Sequence, residues 1–223
     1  MDDFYARLRG GGVATTSQPS PAEFVEAYER AAVAEAEAVV SIHLDARVSG
    51  TVSAAGLAAV AAPVPVTVVD TGTVSFGVGI CVRAAAAVVA AGGSAKEAAL
   101  AAIALGSRLE NAFVAPRTSG GRIPATSDWT LWTFSNGAAT PVSKSSGIDE
   151  AVDRISTRVL LGDRPISVAV GHAAREVEAA ADELAHQLIR SSLVLAVERY
   201  RVGPAVGAHT GPDSFGAFWW PES

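Results

Sequence analysis

Two spacings of apolar residues alternate along the chain. Over residues 24–37, Phe24, Tyr28, Ala31 and Ala32 recur three and four positions apart, which predicts a helix with one buried face. Its start is well marked, since Ser20 suits the N-cap, Pro21 the first helical position and Glu23 the third position of a capping box. The β-branched run at 38–42 predicts a short buried strand. A loop follows over 43–50, then a helix of small residues over 51–61, stopped by Pro63 and Pro65, then a strand over 66–69 closing on Asp70. Strand, helix and strand, with strands apolar almost throughout, point to a parallel sheet covered on both faces.

A long Ala/Val helix is predicted over 76–91, with Gly92 and Gly93 as its stop. Ser94 and Glu97 form a second capping box, opening a helix to about residue 107, and 110–115 reads as a strand. The composition changes at Pro116, with Thr118, Ser119, Gly120, Gly121 and Pro124 close together. Strands over 129–134 and 138–142 flank Asn136-Gly137, a type I′ hairpin signal because both residues tolerate positive φ. A helix over 148–161, a strand over 166–171, a helix over 174–189 and a strand over 193–198 complete the pattern. The expected fold is α/β in two domains. Residues 1–115 form a parallel sheet flanked by helices, and residues 116–223 a mixed-sheet α/β domain.

Composition narrows the functions. The 223 residues are 49% hydrophobic, but much of that is alanine, which buries little area. A net charge of −6 without a basic run speaks against a nucleic-acid partner. The single Cys81 excludes an internal disulfide and a cysteine-based zinc cluster, and fits a cytoplasmic protein. Asp2 and Asp3 stand where a signal peptide carries basic residues, and the uncharged run 48–69 is broken by Ser, Thr, Gly, Pro63 and Pro65. No targeting or integral membrane segment is expected. Neither a Walker-type loop, a Gly-x-Gly-x-x-Gly after a strand, a His-x-x-x-His pair nor a Gly-x-Ser-x-Gly occurs, so no cofactor, metal ligand or catalytic residue is assigned.

What remains is polar and scattered. Thr15, Thr16 and Ser17 lie just ahead of one predicted helix, and Ser49, Gly50 and Thr51 just ahead of another. Hydroxyls and unpaired N–H groups meet there, which suits a carboxylate or phosphate, although such clusters more often serve only as turn and cap donors. Gly121 lets backbone approach a ligand, and Arg122 offers a guanidinium for planar recognition of an anion or simply a solvated loop charge. His209, in His209-Thr210-Gly211-Pro212, is either a turn residue or an acid/base group. An enzyme or binding protein for a small anionic metabolite, using Arg122 and His209, stays open on these residues, as does a degenerate protein without a ligand.

Taken together, Thr15-Thr16-Ser17-Gln18-Pro19-Ser20-Pro21, the strand ending near Ser49-Gly50-Thr51, Val68-Val69-Asp70-Thr71, Gly120-Gly121-Arg122-Ile123 and His209-Thr210-Gly211-Pro212 resemble the DegV family of bacterial fatty-acid-binding proteins. The resemblance covers nearly the whole chain. It implies a two-domain α/β carrier, not an enzyme, that holds a long-chain fatty acid between its domains and presents the carboxylate to a separate fatty-acid kinase subunit. On the same resemblance, Thr15, Thr16 and Ser17 face the carboxylate. Arg122 and His209 sit at the mouth of a tunnel lined by residues such as Phe76, Val78, Ile80 and Phe113. Against the family pattern, a first strand and an Asp-Ser-Ser/Thr loop are missing ahead of Met1. Asp45-Ala46 stands where serines are usual, so Asp45 is expected to repel a carboxylate unless Arg47 pairs with it.

Overall fold

In a computed structural model, which describes residues 1–116 and 128–222, the chain divides into two compact units. One comprises Ser17–Arg108, and the other is made of Met1–Thr16 together with Leu109–Ser223. The boundary expected at Pro116 therefore moves, and the first sixteen residues join the second half of the chain.

The unit of residues 17–108 is built as its sequence pattern predicts. Helix α2 (Pro21–Val33) starts on Ser20, whose hydroxyl accepts from the Glu23 N–H while the Glu23 carboxylate accepts from the Ser20 N–H. Strands β1 (Val39–His43) and β2 (Val66–Asp70) pair in parallel, Val39 opposite Val66 and His43 opposite Asp70. Helix α3 (Thr51–Ala59) forms the crossover between them. Helices α4 (Phe76–Ala90) and α5 (Ala95–Gly106) follow, the second opened by the Ser94/Glu97 capping box. The buried residues are mostly small: Ala54, Ala55, Ala58, Ala98, Ala99 and Ala102, with Val69 and Ile80. Small side chains bury little area each but let backbones approach closely. At Gly106, a Cβ would run into the Thr71 carbonyl, so only glycine lets the end of α5 abut the loop after β2.

The other unit is a six-stranded mixed sheet in the order β5-β4-β3-β8-β6-β7. Its strands are β3 (Glu110–Val114), β4 (Trp129–Ser135), β5 (Ala138–Ser145), β6 (Ile166–His172), β7 (Val194–Arg201) and β8 (Phe215–Pro221). β4 and β5 form the expected hairpin, with Asn136 and Gly137 at φ of 51° and 76°. β6 and β7 pair in parallel around α7 (Glu178–Ile189), and α6 (Ile148–Val159) precedes β6. The expectation that β3 closes the first domain is overturned: it pairs antiparallel with β4 and β8, across the second sheet. β8 itself was not anticipated, because Gly216 and Pro221 within Phe215–Pro221 read as turn residues. Helices α1 (Asp2–Arg9) and α8 (Pro204–Thr210) are both too short to show a clear period in the sequence.

One face of this sheet carries the main core, with Ile155, Leu184, Leu188, Val168, Val170 and Phe215 each almost fully buried. Each large side chain there is worth about 1.5–3 kcal/mol of transfer free energy. On the other face a single row runs Trp132, Phe113, Gly216, Gly171 and Tyr200 across five strands. Aromatic side chains therefore stand at both ends of two adjacent glycines. A Cβ at Gly171 would fall on the Tyr200 ring, and one at Gly216 on the Ala112 carbonyl and the Phe113 backbone.

These packings predict that Gly216→Ala destabilises the protein more than Gly171→Ala. A side-chain ring can turn aside, whereas the β3 backbone cannot without breaking its pairing. The expected cost at Gly216 is about 1–3 kcal/mol, read from urea unfolding of the two variants against wild type. A pH dependence follows as well. Burial lowers the pKa of His43, and burial together with the neighbouring Arg199 lowers that of His172. Both rings are neutral above about pH 6.5 in either state, so stability is full there. As pH falls below that value the unfolded chain takes up protons first, and stability drops until the folded pKa values are passed. Urea midpoints at pH 7.5 and 5.5 should differ in that sense, and His172→Gln should narrow the gap.

Candidate functional site

The loops that leave the carboxyl ends of β1 and β2 are tied to one another by backbone and carboxylate bonds. The Thr71 N–H and hydroxyl both donate to the His43 carbonyl, at 3.1 and 2.8 Å. The Asp45 N–H donates to the Thr73 carbonyl at 2.9 Å. Asp70 accepts from the Ala46 and Gly72 N–H groups at 3.2 and 2.9 Å. A rigid platform results at the end of a parallel sheet, the usual place for ligand loops in α/β folds.

Asp45 is fully buried, and its charge is met within the loop. Its carboxylate accepts from the Arg47 N–H, Nε and Nη2 at 2.8, 2.8 and 2.7 Å, a fork that also raises the Arg47 pKa. The pairing that the sequence required to keep Asp45 compatible with an anion nearby is therefore present. The same guanidinium is thereby committed to Asp45.

Ser49, Gly50 and Thr51 close this loop at the start of α3. The Ser49 and Thr51 hydroxyls share a hydrogen bond of 2.7 Å, and the Thr51 N–H donates to Ser49 Oγ at 3.3 Å. Thr51 is buried, and Ser49 and Gly50 are half-buried. A Cβ on Gly50 would collide with the side-chain amide of Gln18, which therefore lies against the Gly50 backbone. Gln18, part of the motif that carries the family resemblance but not among the site residues it implies, takes its place here through this contact. Ser17 belongs to this same unit and is exposed. Behind the platform, Tyr28 and Ser41 hydroxyls share a bond of 2.9 Å, and Ser41 Oγ lies 2.7 Å from His43 Nε2, a buried chain against α2 and α3.

In the other unit, Thr16 and His209 meet. Thr16 Oγ1 lies 3.0 Å from His209 Nε2, across 193 residues of sequence. The hydroxyl donates when Nε2 is bare and accepts when Nε2 carries the proton. In the second case the hydroxyl proton is free for an anion, and a carboxylate is a suitable acceptor. Thr15 and Thr16 are exposed, and His209, in the last turn of α8, is half-buried. α8 ends on Gly211, whose φ of 80° a side chain resists, and the Thr210 and Ser214 hydroxyls close the turn at 2.8 Å. Gly121 and Arg122 lie outside the described residues. Of the residues singled out in the sequence, the structure thus brings together Thr16 with His209, and Ser49 with Thr51. Among the described residues, no group of three or more His, Cys, Asp or Glu side chains could hold a metal ion, and no helix is long and apolar enough to cross a membrane.

Known proteins share this arrangement of elements. A family model described as "Uncharacterised protein, DegV family" matches residues 1–222. A DegV domain-containing protein of Streptomyces coelicolor is 36% identical over 217 residues, covering 91% of this chain and 76% of the relative. A Thermotoga maritima protein described as having fatty acid binding function superposes with a TM-score of 0.88 at 26% identity, over 99% of this chain and 82% of that one. A DegV family protein of Thermus thermophilus, described by its fatty acid binding, gives a TM-score of 0.87 at 28% identity, over 99% of this chain and 84% of that one. The small parallel sheet with its larger mixed companion matches the fold of these proteins, and the chain belongs to the DegV family.

Proposed function

We propose that this protein binds a long-chain fatty acid and presents its carboxylate to a separate fatty-acid kinase subunit. The observation that carries the reading is the 3.0 Å contact between Thr16 and His209, which joins two distant family motifs into one donor pair. The described binding of fatty acid by the Thermotoga and Thermus relatives supports it. In this reading Thr16 donates to the carboxylate while its oxygen accepts from His209, so that one hydroxyl both senses the ring and holds the head group. Thr15 is a neighbouring donor in the same unit, and Ser17, Ser49, Gly50, Thr51, Gly121 and Arg122 are further candidate donors or points of close backbone approach on the family resemblance alone. A carboxylate accepts several such bonds at once, and the acyl tail takes an apolar lining. The protein's part in the kinase reaction is positioning: the carboxylate stays the nucleophile, and the ATP and the phosphoryl-transfer machinery belong to the kinase.

Native mass spectrometry of protein purified from bacteria is the direct test of binding. A co-purifying mass of a long-chain acid is the expected result, whereas a small anion or a clean apo mass argues against it. Titration with a fluorescent fatty acid then locates the head group. Thr16→Val removes one hydrogen bond to a charged group, worth about 1.5–3 kcal/mol, and should weaken binding by about tenfold or more. Ala46→Ser should tighten binding if that position faces the carboxylate. Unchanged affinity in both variants places the head group elsewhere. Kinase subunit supplied with ATP and the loaded protein should release acyl phosphate, and the Thr16→Val protein should support this poorly.

Gly50→Ala tests the platform separately. A methyl group there displaces Gln18, so the variant should keep its melting temperature within a few degrees while losing acyl affinity. A large drop in melting temperature with retained affinity assigns Gln18 a structural role only.

A further inference from the structure

Helix α1 holds α8 and the turn that follows it at two points on either side of His209. Near its start, the Tyr5 ring packs where a Cβ on Gly207 would stand, so only glycine there admits it. The Tyr5 hydroxyl donates to the Val202 carbonyl at 2.6 Å, just ahead of α8, and Tyr5 is 2% exposed. Burial pushes the Tyr5 phenol up to about 12, so it stays a donor throughout the physiological range. At the end of α1, the Arg9 guanidinium pairs with Asp213 through one nitrogen and with Glu176 through the other. The Asp213 side chain is 12% exposed and that of Glu176 60%, so the Asp213 pair is the one that water screens least.

The turn that Arg9 grips is anchored from the sheet as well. The Ala174 N–H donates to the Pro212 carbonyl at 3.0 Å and the Ala173 N–H to the Ser214 carbonyl at 2.9 Å. His209 therefore sits between two fixed points, Gly207 under Tyr5 and Asp213 under Arg9. The chain leaving α1 also delivers the partner of that ring. Gly12 bonds back to the Arg7 carbonyl at 2.9 Å, Gly11 takes a φ of 87°, and the chain that follows reaches Thr16. One short helix thus sets both members of the Thr16–His209 pair.

We infer that Arg9 is a positioning residue for the head-group pair. By holding Asp213 beside Glu176 it fixes the turn after α8, and with it the direction in which the His209 ring meets Thr16. The proposal rests on the fatty-acid reading of that pair, and its test separates the two. Arg9→Gln removes both ion pairs, Arg9→Lys keeps one charge but cannot fork to two carboxylates, and Arg7→Gln on the same helix controls for lost charge. Two readouts are taken on each: the His209 ring signals by NMR in the apo protein, and the affinity for a fluorescent fatty acid. Arg9→Gln should move the His209 signals and weaken acyl binding by about tenfold, Arg9→Lys should fall between it and wild type, and Arg7→Gln should match wild type. In a His209→Gln background, Arg9→Gln should add no further loss, because it acts through the ring. Unmoved His209 signals in Arg9→Gln, or an equal further loss in the His209→Gln background, overturns the proposal. If wild type binds no fatty acid, the functional reading fails, while the His209 signals still decide whether Arg9 sets the ring. Should Arg9→Gln not fold, Arg9→Lys carries both readouts.

Discussion

The interaction on which the larger unit depends is the double pairing of β8. This strand lies between β3 and β6 and runs antiparallel to both, with Gly216 facing Phe113 on one side and Gly171 on the other. Without it the β3-β4-β5 meander and the parallel β6-β7 pair are not paired to one another, since among the described residues no other strand bridges them. Its alternate residues Phe215, Ala217 and Trp219 also enter the main core beneath α6 and α7. The segment that bears His209 is spliced directly onto this strand through Gly211–Ser214, so the candidate site inherits its stiffness from the centre of the sheet and not from an edge.

The smaller unit reaches rigidity by other means. Its sheet has two strands, and its core is largely alanine, so apolar area alone is a modest source of order. Polar bonds at the carboxyl ends of the strands make up the difference. Asp70 gathers two N–H groups, Asp45 is satisfied by Arg47, and Thr71 reaches back to His43. Buried polar groups of this kind specify one loop geometry, because each alternative leaves a carboxylate or N–H unmet. An aspartate that seemed hostile to an anionic ligand is instead spent within the loop that carries Ser49 and Thr51.

Much of this was legible in the residues. The capping boxes at Ser20 and Ser94, the Asn136-Gly137 turn, and the parallel β1–β2 pair followed from local chemistry that tertiary context did not override. The sequence left the Arg47–Asp45 pair as a condition for Asp45 not to repel an anion, and the structure meets it. What could not be read was set by distant partners. β8 looks like a tail because Gly216 and Pro221 are turn residues in isolation, and Gly216 is needed only because β3 passes so close. β3 looks like the last strand of a βα series, and only its antiparallel neighbours place it in the other sheet. Arg9 carries no motif of its own, and Gln18 lies within one without showing a partner. Their roles appear once Gly50 and Asp213 are beside them.

The contacts that build the Thr16–His209 region span unusual lengths of chain. Thr16 to His209 covers 193 residues, Tyr5 to Val202 covers 197, and Arg9 to Asp213 covers 204. Closing loops of that size costs entropy before any contact forms, so such regions are assembled late in folding. On a ribosome, the threonine is made long before its histidine emerges. A nascent chain therefore has no Thr16–His209 pair to offer a ligand. Any ligand that engages the pair recognises only the finished fold, and its occupancy adds to the stability of that fold by mass action. Ligand supply would then set not only how much protein is loaded but how long the loaded molecules survive.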